Sequence, residues 1–154
     1  MFFTESIQLP MSAQRASLQL DDRLGVPGVL QHISEDALQV GLHELPAALL
    51  PPSVDIAVQR LPPYARGDVT VFLIRWVPVL PGAGSRPILD GNIEVRPADH
   101  ETTALTVLGT YHLPTHEWLS SEREQPHRRS GRATATMLLT HIAELIESPA
   151  PEPG

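Results

Sequence analysis

The stretch Met137-Leu-Leu-Thr-His-Ile-Ala-Glu-Leu-Ile146 decides the fold of this chain. Its apolar residues recur three and four positions apart, which is the spacing of one face of an α-helix. We predict a long amphipathic helix over about 130–146 that begins further upstream, where Ser120 and Ser121 precede two glutamates as a helix cap would. The polar side of this helix is predicted to carry Arg128, Arg129, Arg132, Thr136, Thr140 and Glu144.

Several short segments before this helix have the composition of β-strands. Val69–Val77 is the most β-like, because it is almost wholly aliphatic, β-branched or aromatic. Ser12 is the expected N-cap of a short helix over 13–20. The predicted strands with clear patterns are 2–9, 54–60, 69–77, 88–96 and 102–112, with turns at 62–67 and 97–101.

The segment from Val29 to Leu42 allows two interpretations. One is a pair of strands, 29–33 and 37–42, joined by a turn at Ser34-Glu35-Asp36. The other is a helix over 29–39, since short apolar runs do not distinguish the two.

This order of elements predicts an α+β fold in which a curved antiparallel sheet of about six or seven strands wraps around the long C-terminal helix. The sheet must bury one face, and the C-terminal helix is the element we expect to cover it. We predict a single domain over 1–147 and a disordered proline-rich tail over 148–154.

Composition excludes several classes of function. A net charge of −7 argues against a nucleic-acid surface, and no stretch of the sequence is apolar enough for a membrane span. The chain has no cysteine, which excludes disulfides and cysteine-ligated zinc, and its basic residues are all arginine, which excludes lysine chemistry. Sixteen prolines argue against an all-helical bundle. We expect a cytoplasmic location and no cofactor.

A family resemblance is carried by three segments and the helix that follows them. They are Phe72-Leu-Ile-Arg-Trp76, Pro87-Ile-Leu-Asp-Gly-Asn-Ile-Glu-Val-Arg-Pro97 and Thr103-Ala-Leu-Thr-Val-Leu-Gly-Thr-Tyr-His-Leu-Pro114. This run resembles bacterial members of the SRPBCC superfamily, also called the START-like or helix-grip fold, in the uncharacterised polyketide-cyclase-like or lipid-transport-like branch. The resemblance covers about 70–147, and the first half agrees in element order. It implies a cavity between sheet and last helix that holds a hydrophobic or amphipathic small molecule.

Residues on the most hydrophobic strand are candidates for lining that cavity. Arg75 and Trp76 must face opposite sides of the sheet, because side chains alternate along a strand. We expect Trp76 to point inward together with Phe72 and Ile74, since three large apolar groups outweigh the smaller ones on the other face. The alternative places Arg75 inside, paired with a carboxylate or a ligand anion.

Two polar side chains are expected near the same cavity. Tyr111 shares the apolar face of its strand, so its hydroxyl needs a partner. It is either a core tyrosine whose hydroxyl is satisfied, or a residue whose hydroxyl bonds to His141, water or a ligand. His141 lies beside Met137 on the predicted helix, either as a core residue with one hydrogen bond or as a polar group of the cavity. The predicted ligand-binding residues are Phe72, Trp76, Tyr111, Met137 and His141.

His112, His116 and Glu117, with His127 further along, form either a metal site or a solvated loop. The loop is favoured, because Pro114 interrupts the helical spacing of the first two histidines. No metal is therefore predicted.

Three functions remain. The first is a module that binds a hydrophobic or amphipathic small molecule. The second is a polyketide cyclase- or aromatase-like enzyme using the same cavity, for which His141 has no convincing partner carboxylate in the sequence and the catalytic residues are unknown. The third is a non-catalytic protein-interaction module, and a homodimer is compatible with all three.

Overall fold

Six strands and three α-helices make up the part of the chain that the computed structural model describes, residues 1–50, 54–79, 86–113 and 121–148. In the last helix the side chains are described from Glu124 onward. The elements are β1 (Phe2–Leu9), α1 (Ala13–Leu24), α2 (Val29–Leu42), a 3₁₀ turn (Ala47–Leu49), β2 (Ile56–Arg60), β3 (Tyr64–Arg66), β4 (Val69–Pro78), β5 (Leu89–Pro97), β6 (Thr103–Tyr111) and α3 (Ser121–Glu147).

The strands form one antiparallel sheet in the order β1-β6-β5-β4-β2, and β3 also pairs with β4. On β4, Phe72, Ile74 and Trp76 face inward and are 0%, 2% and 0% exposed. Arg75 faces outward and pairs with Asp90 on β5 at 3.4 Å. The predicted facing of this strand is therefore confirmed.

A pair of glycines lets neighbouring strands approach closely where the sheet curves. Gly91 on β5 lies directly opposite Gly109 on β6. A Cβ at Gly91 would lie 2.5 Å from the carbonyl oxygen of Leu108, and one at Gly109 would overlap the carbonyl oxygen of Asp90. Side chains at these two positions would push the strands apart, so the glycines permit the bend.

The segment from 29 to 42 is one helix, so the prediction of two strands was wrong and the helical alternative is confirmed. The buried residues of α2 recur at helical spacing: Leu30, Ile33, Ser34, Ala37, Leu38, Gly41 and Leu42. Glu35 and Asp36, which suggested a turn, lie on the exposed side of this helix.

The ends of other elements also differ from the predictions, and one predicted turn contains a strand. Helix α1 continues to Leu24, four residues beyond the predicted end at Leu20. The predicted turn at 62–67 contains the short strand β3. Helix α3 begins at Ser121 and runs through Pro126, and all six residues predicted for its polar side are exposed.

All three helices cover the inner face of the sheet, which corrects the expectation that the C-terminal helix alone would do so. Helix α1 buries Ala16, Leu20 and Leu24, and α2 packs extensively along α3. A curved antiparallel sheet with a long helix packed across its inner face is the predicted helix-grip architecture. None of the described helices combines the length and the apolar character needed to cross a membrane.

Two helices approach each other very closely at Gly41, near the end of α2. A Cβ there would overlap Thr134 Oγ1 and would lie 2.8 Å from the carbonyl oxygen of Ser130, both on α3. A backbone oxygen cannot rotate away, so glycine is required for this packing distance.

The predicted tail over 148–154 lies outside the described residues except for Ser148, which bonds to the carbonyl oxygen of Glu144.

We expect Gly41→Ala to lower the free energy of unfolding by about 1–3 kcal/mol, because the added methyl group forces α2 away from α3. Urea denaturation measures this. The double variant Gly41→Ala/Thr134→Ala should recover part of the loss, because it removes the overlapping hydroxyl group. Additive effects of the two substitutions would show that the helices do not meet at this point.

Candidate functional site

The five predicted ligand-binding residues lie at different depths. Phe72, Trp76 and Tyr111 are completely buried on the inner face of the sheet. Trp76 and Tyr111 occupy one row across the sheet, since each pairs with Leu89 on β5. Met137 is partly buried against the core, and His141 follows it by one turn of α3. The structure therefore separates a sheet group from a helix group.

The Tyr111 hydroxyl is paired with Ser130 Oγ of α3 at 2.9 Å. Tyr111 is therefore a core tyrosine with a satisfied hydroxyl, and the partner is Ser130 rather than His141. Burial raises the pKa of the Tyr111 phenol, and the hydrogen bond to Ser130 opposes that rise. Tyr111 thus joins sheet to helix as a neutral group whose hydrogen bond is already made.

His141 contacts a carboxylate that the sequence did not indicate. Its Nε2 lies 2.5 Å from Asp36 Oδ2 of α2, and its Nδ1 lies 3.7 Å from Glu144 Oε2 of α3. The expectation that His141 has no partner carboxylate was wrong. It failed because Asp36 was assigned to a turn between two strands, whereas the residue belongs to a helix packed against α3.

A pocket of about 440 Å³ lies between α2 and β2, beside this pair. Its lining residues are His32, Glu35, Asp36, Leu38, Gln39, Val54, Asp55 and Ile56. Leu38 and Ile56 belong to the buried core and form its apolar part, whereas the charged residues are exposed. The volume is in the range of small-molecule sites, and the mixed lining suits a molecule with one apolar and one polar end.

The side chain of Gln31 holds the two walls of this pocket together. Its amide nitrogen donates to the carbonyl oxygen of Ile56 at 2.7 Å and to Glu35 Oε1 at 2.8 Å. Its amide oxygen accepts from the backbone N–H of Val58 at 3.0 Å. Gln31 thereby makes hydrogen bonds to backbone groups at the edge of β2, as a neighbouring strand would. These bonds join α2 to the sheet.

Two buried polar atoms near this region have no hydrogen-bond partner among the described residues, namely Trp76 Nε1 and Ser34 Oγ. Trp76 pairs with Val58, the residue that Gln31 holds. Ser34 follows Gln31 by about one turn of α2. An unpaired buried polar atom costs about 1–3 kcal/mol, and neither of these two buried residues is among the lining residues of the pocket.

Two of the histidines considered as metal ligands are described, and of these His127 lies near the start of α3 and His112 directly follows β6. His127 stacks on Tyr111 with 5.4 Å between ring centroids, and its Nε2 accepts from the N–H of Leu113 at 3.4 Å. Burial lowers the pKa of His127 to about 4. His116 and Glu117 lie outside the described residues, and the described ones contain no group of three or more histidines and carboxylates arranged to hold a metal ion.

No protein-family model matches the sequence, and no curated protein matches it. Solved structures of similar shape include TTHA0849 from Thermus thermophilus, with 14% identity, a TM-score of 0.47, and 95% of this chain and 97% of that chain covered.

Two further structures are less similar. The Zhui aromatase/cyclase from Streptomyces sp. R1128 has 12% identity, a TM-score of 0.33 and 96% coverage of both chains. Ara h 8.0201 has 14% identity, a TM-score of 0.28, and 92% of this chain and 97% of that chain covered. Likeness this low assigns neither a family nor a function to the chain.

We expect Gln31→Glu to lower the free energy of unfolding by about 2 kcal/mol at pH 7, because it removes both donated hydrogen bonds and places a second carboxylate beside Glu35. Chemical denaturation measures this. The control is Gln8→Glu, which adds the same charge to an exposed position of β1 and should be nearly neutral. Equal losses in the two variants would mean that the Gln31 amide does not hold α2 to β2.

The stability of the protein should fall as the pH is lowered from about 6.5 to about 4. The pKa of His127 is about 4 in the folded protein and 6.5 in the reference state, so the unfolded chain binds a proton first in this interval. The expected contribution is on the order of 2 kcal/mol, allowing for partial solvent access. Thermal denaturation across this interval should show a weaker pH dependence in His127→Gln and an unchanged one in His100→Gln, at an exposed turn position.

Proposed function

We propose that the protein binds a small amphipathic molecule in the pocket between α2 and β2, rather than between the sheet and α3 as the resemblance implies. The observation that carries this proposal is the pocket of about 440 Å³ between α2 and β2, whose apolar part is made of core residues. A ligand placed there buries its apolar part against Leu38 and Ile56, which supplies affinity at about 25 cal/mol per Å² of apolar surface.

Trp76 supports extending the site from the pocket into the core. Ile56, which lines the pocket, and Val58, which pairs with Trp76, both belong to the inner face of β2. The indole N–H of Trp76 is buried and has no acceptor among the described residues. A carbonyl, ether or hydroxyl oxygen of a ligand would satisfy this donor and recover the cost of burying it.

The predicted ligand-binding residues take different parts in this proposal. Trp76 supplies a donor and apolar surface, and His141 acts at the pocket through Asp36. Phe72, Tyr111 and Met137 form apolar surface deeper in the core and along α3.

Membership of the SRPBCC (START-like) superfamily, in its polyketide-cyclase-like or lipid-transport-like branch, is part of the same proposal. It rests on the resemblance of segments 72–76, 87–97 and 103–114, and it agrees with the order of strands and helices. A binding protein for an amphipathic molecule is the function that this membership and the pocket both favour.

Fluorescence titration with 1-aminoanthracene, an apolar ring system with one polar group, tests the proposal. The wild-type protein should bind it saturably. Gln39→Trp should weaken binding about tenfold or more, because an indole at this exposed position fills the pocket. Gln59→Trp is the matched control, since Gln59 is an exposed glutamine on the outer face of the sheet, and it should bind as the wild type does. No binding by the wild type, or equal effects of the two variants, would refute the proposed site.

A further inference from the structure

We propose that Asp36 recognises a hydrogen-bond donor of the ligand, an amine or a hydroxyl, and that His141 is the positioning residue that holds the Asp36 carboxylate for this contact. The inference rests on the proposed binding function and adds the chemical class of the ligand's polar group. It follows from three features of the pair: its place at the pocket, its geometry and the carboxylate oxygen that His141 leaves free.

Asp36 touches the pocket, whereas His141 touches Asp36. The carboxylate of Asp36 lines the pocket, and its side chain is 52% exposed. A carboxylate this exposed on a helix surface normally samples several rotamers. Here the bond of 2.5 Å from His141 Nε2 to Asp36 Oδ2 ties it to a second helix, which restricts it to one orientation.

His141 lies between two carboxylates. Its side chain is 24% exposed, and Glu144 Oε2 lies 3.7 Å from its Nδ1, across the ring from Asp36. The ring can donate from Nε2 both in its charged form and in the neutral tautomer that carries the proton on that nitrogen. The bond to Asp36 therefore does not require one protonation state, and the ring serves as a fixed donor behind the carboxylate.

The second oxygen of Asp36 is left for a ligand. Oδ2 accepts from His141, and among the described residues none donates to Oδ1. Glu35, the neighbouring carboxylate of the pocket, already accepts from Gln31. Asp36 lines the pocket, so its Oδ1 is available to a donor group bound there, and an anionic ligand group is disfavoured by Glu35 and Asp55.

Two probes that differ only in their donor test this inference. They are 1-aminoanthracene and its N,N-dimethyl derivative, which has the same rings and no N–H. The wild-type protein should bind the amine about tenfold more tightly, as expected for a hydrogen bond to a charged acceptor. Asp36→Ala should abolish this preference, because it removes the acceptor.

Variants of His141 separate positioning from general stability. His141→Leu should reduce the preference for the amine several-fold, whereas His141→Gln should retain it, because the glutamine amide can donate to Asp36 in place of Nε2. His43→Leu is the control, since His43 is an exposed histidine just beyond α2, and its ratio of dissociation constants should stay at the wild-type value. A loss of packing would weaken both probes equally and leave the ratio unchanged.

The outcomes distinguish this inference from the function on which it rests. If Asp36→Ala keeps the preference, Asp36 is not the acceptor, and if the Leu and Gln variants of His141 behave alike, His141 does not position it. If the wild type binds both probes equally and Gln39→Trp blocks both, the inference fails and the proposed function stands. If neither probe binds, both are refuted.

Discussion

The contact between α2 and α3 at Gly41 is the constraint on which the rest of this structure depends. The backbone of α2 rests against Ser130 and Thr134, with no room for a side chain between them. Interhelical distance and rotation are set by the residues at the contact. Once Gly41 faces α3, the helical period directs Leu38 into the core and leaves Asp36 exposed beside His141.

The pocket is a consequence of how α2 meets the edge of the sheet. An edge strand presents backbone groups that need partners, and a helix cannot supply them from its own backbone. The Gln31 amide supplies them to β2 with one acceptor and one donor. The pocket lined by Leu38 and Ile56 lies beside this junction, between the helix and the strand.

Some polar groups inside this core are hydrogen-bonded to each other, and others have no hydrogen-bond partner among the described residues. Tyr111 and Ser130 satisfy each other, so they join sheet to helix without offering anything to a ligand. Trp76 and Ser34 are equally buried and have no partner among the described residues. A core stabilised mainly by apolar burial tolerates a few such atoms. They lie toward the end of the core where α2 meets β2, which is also the end with the pocket.

Local patterns in the sequence determined the two faces of α3 and the inward facing of Phe72 and Trp76, because a helix or strand repeats its exposure at a fixed period. The same patterns could not decide whether 29–42 is a helix, since short apolar runs around Ser34-Glu35-Asp36 fit either structure. Only the tertiary structure placed Asp36 against His141, 105 residues away. Contacts at that separation follow from how packed elements meet, and no spacing along the chain encodes them.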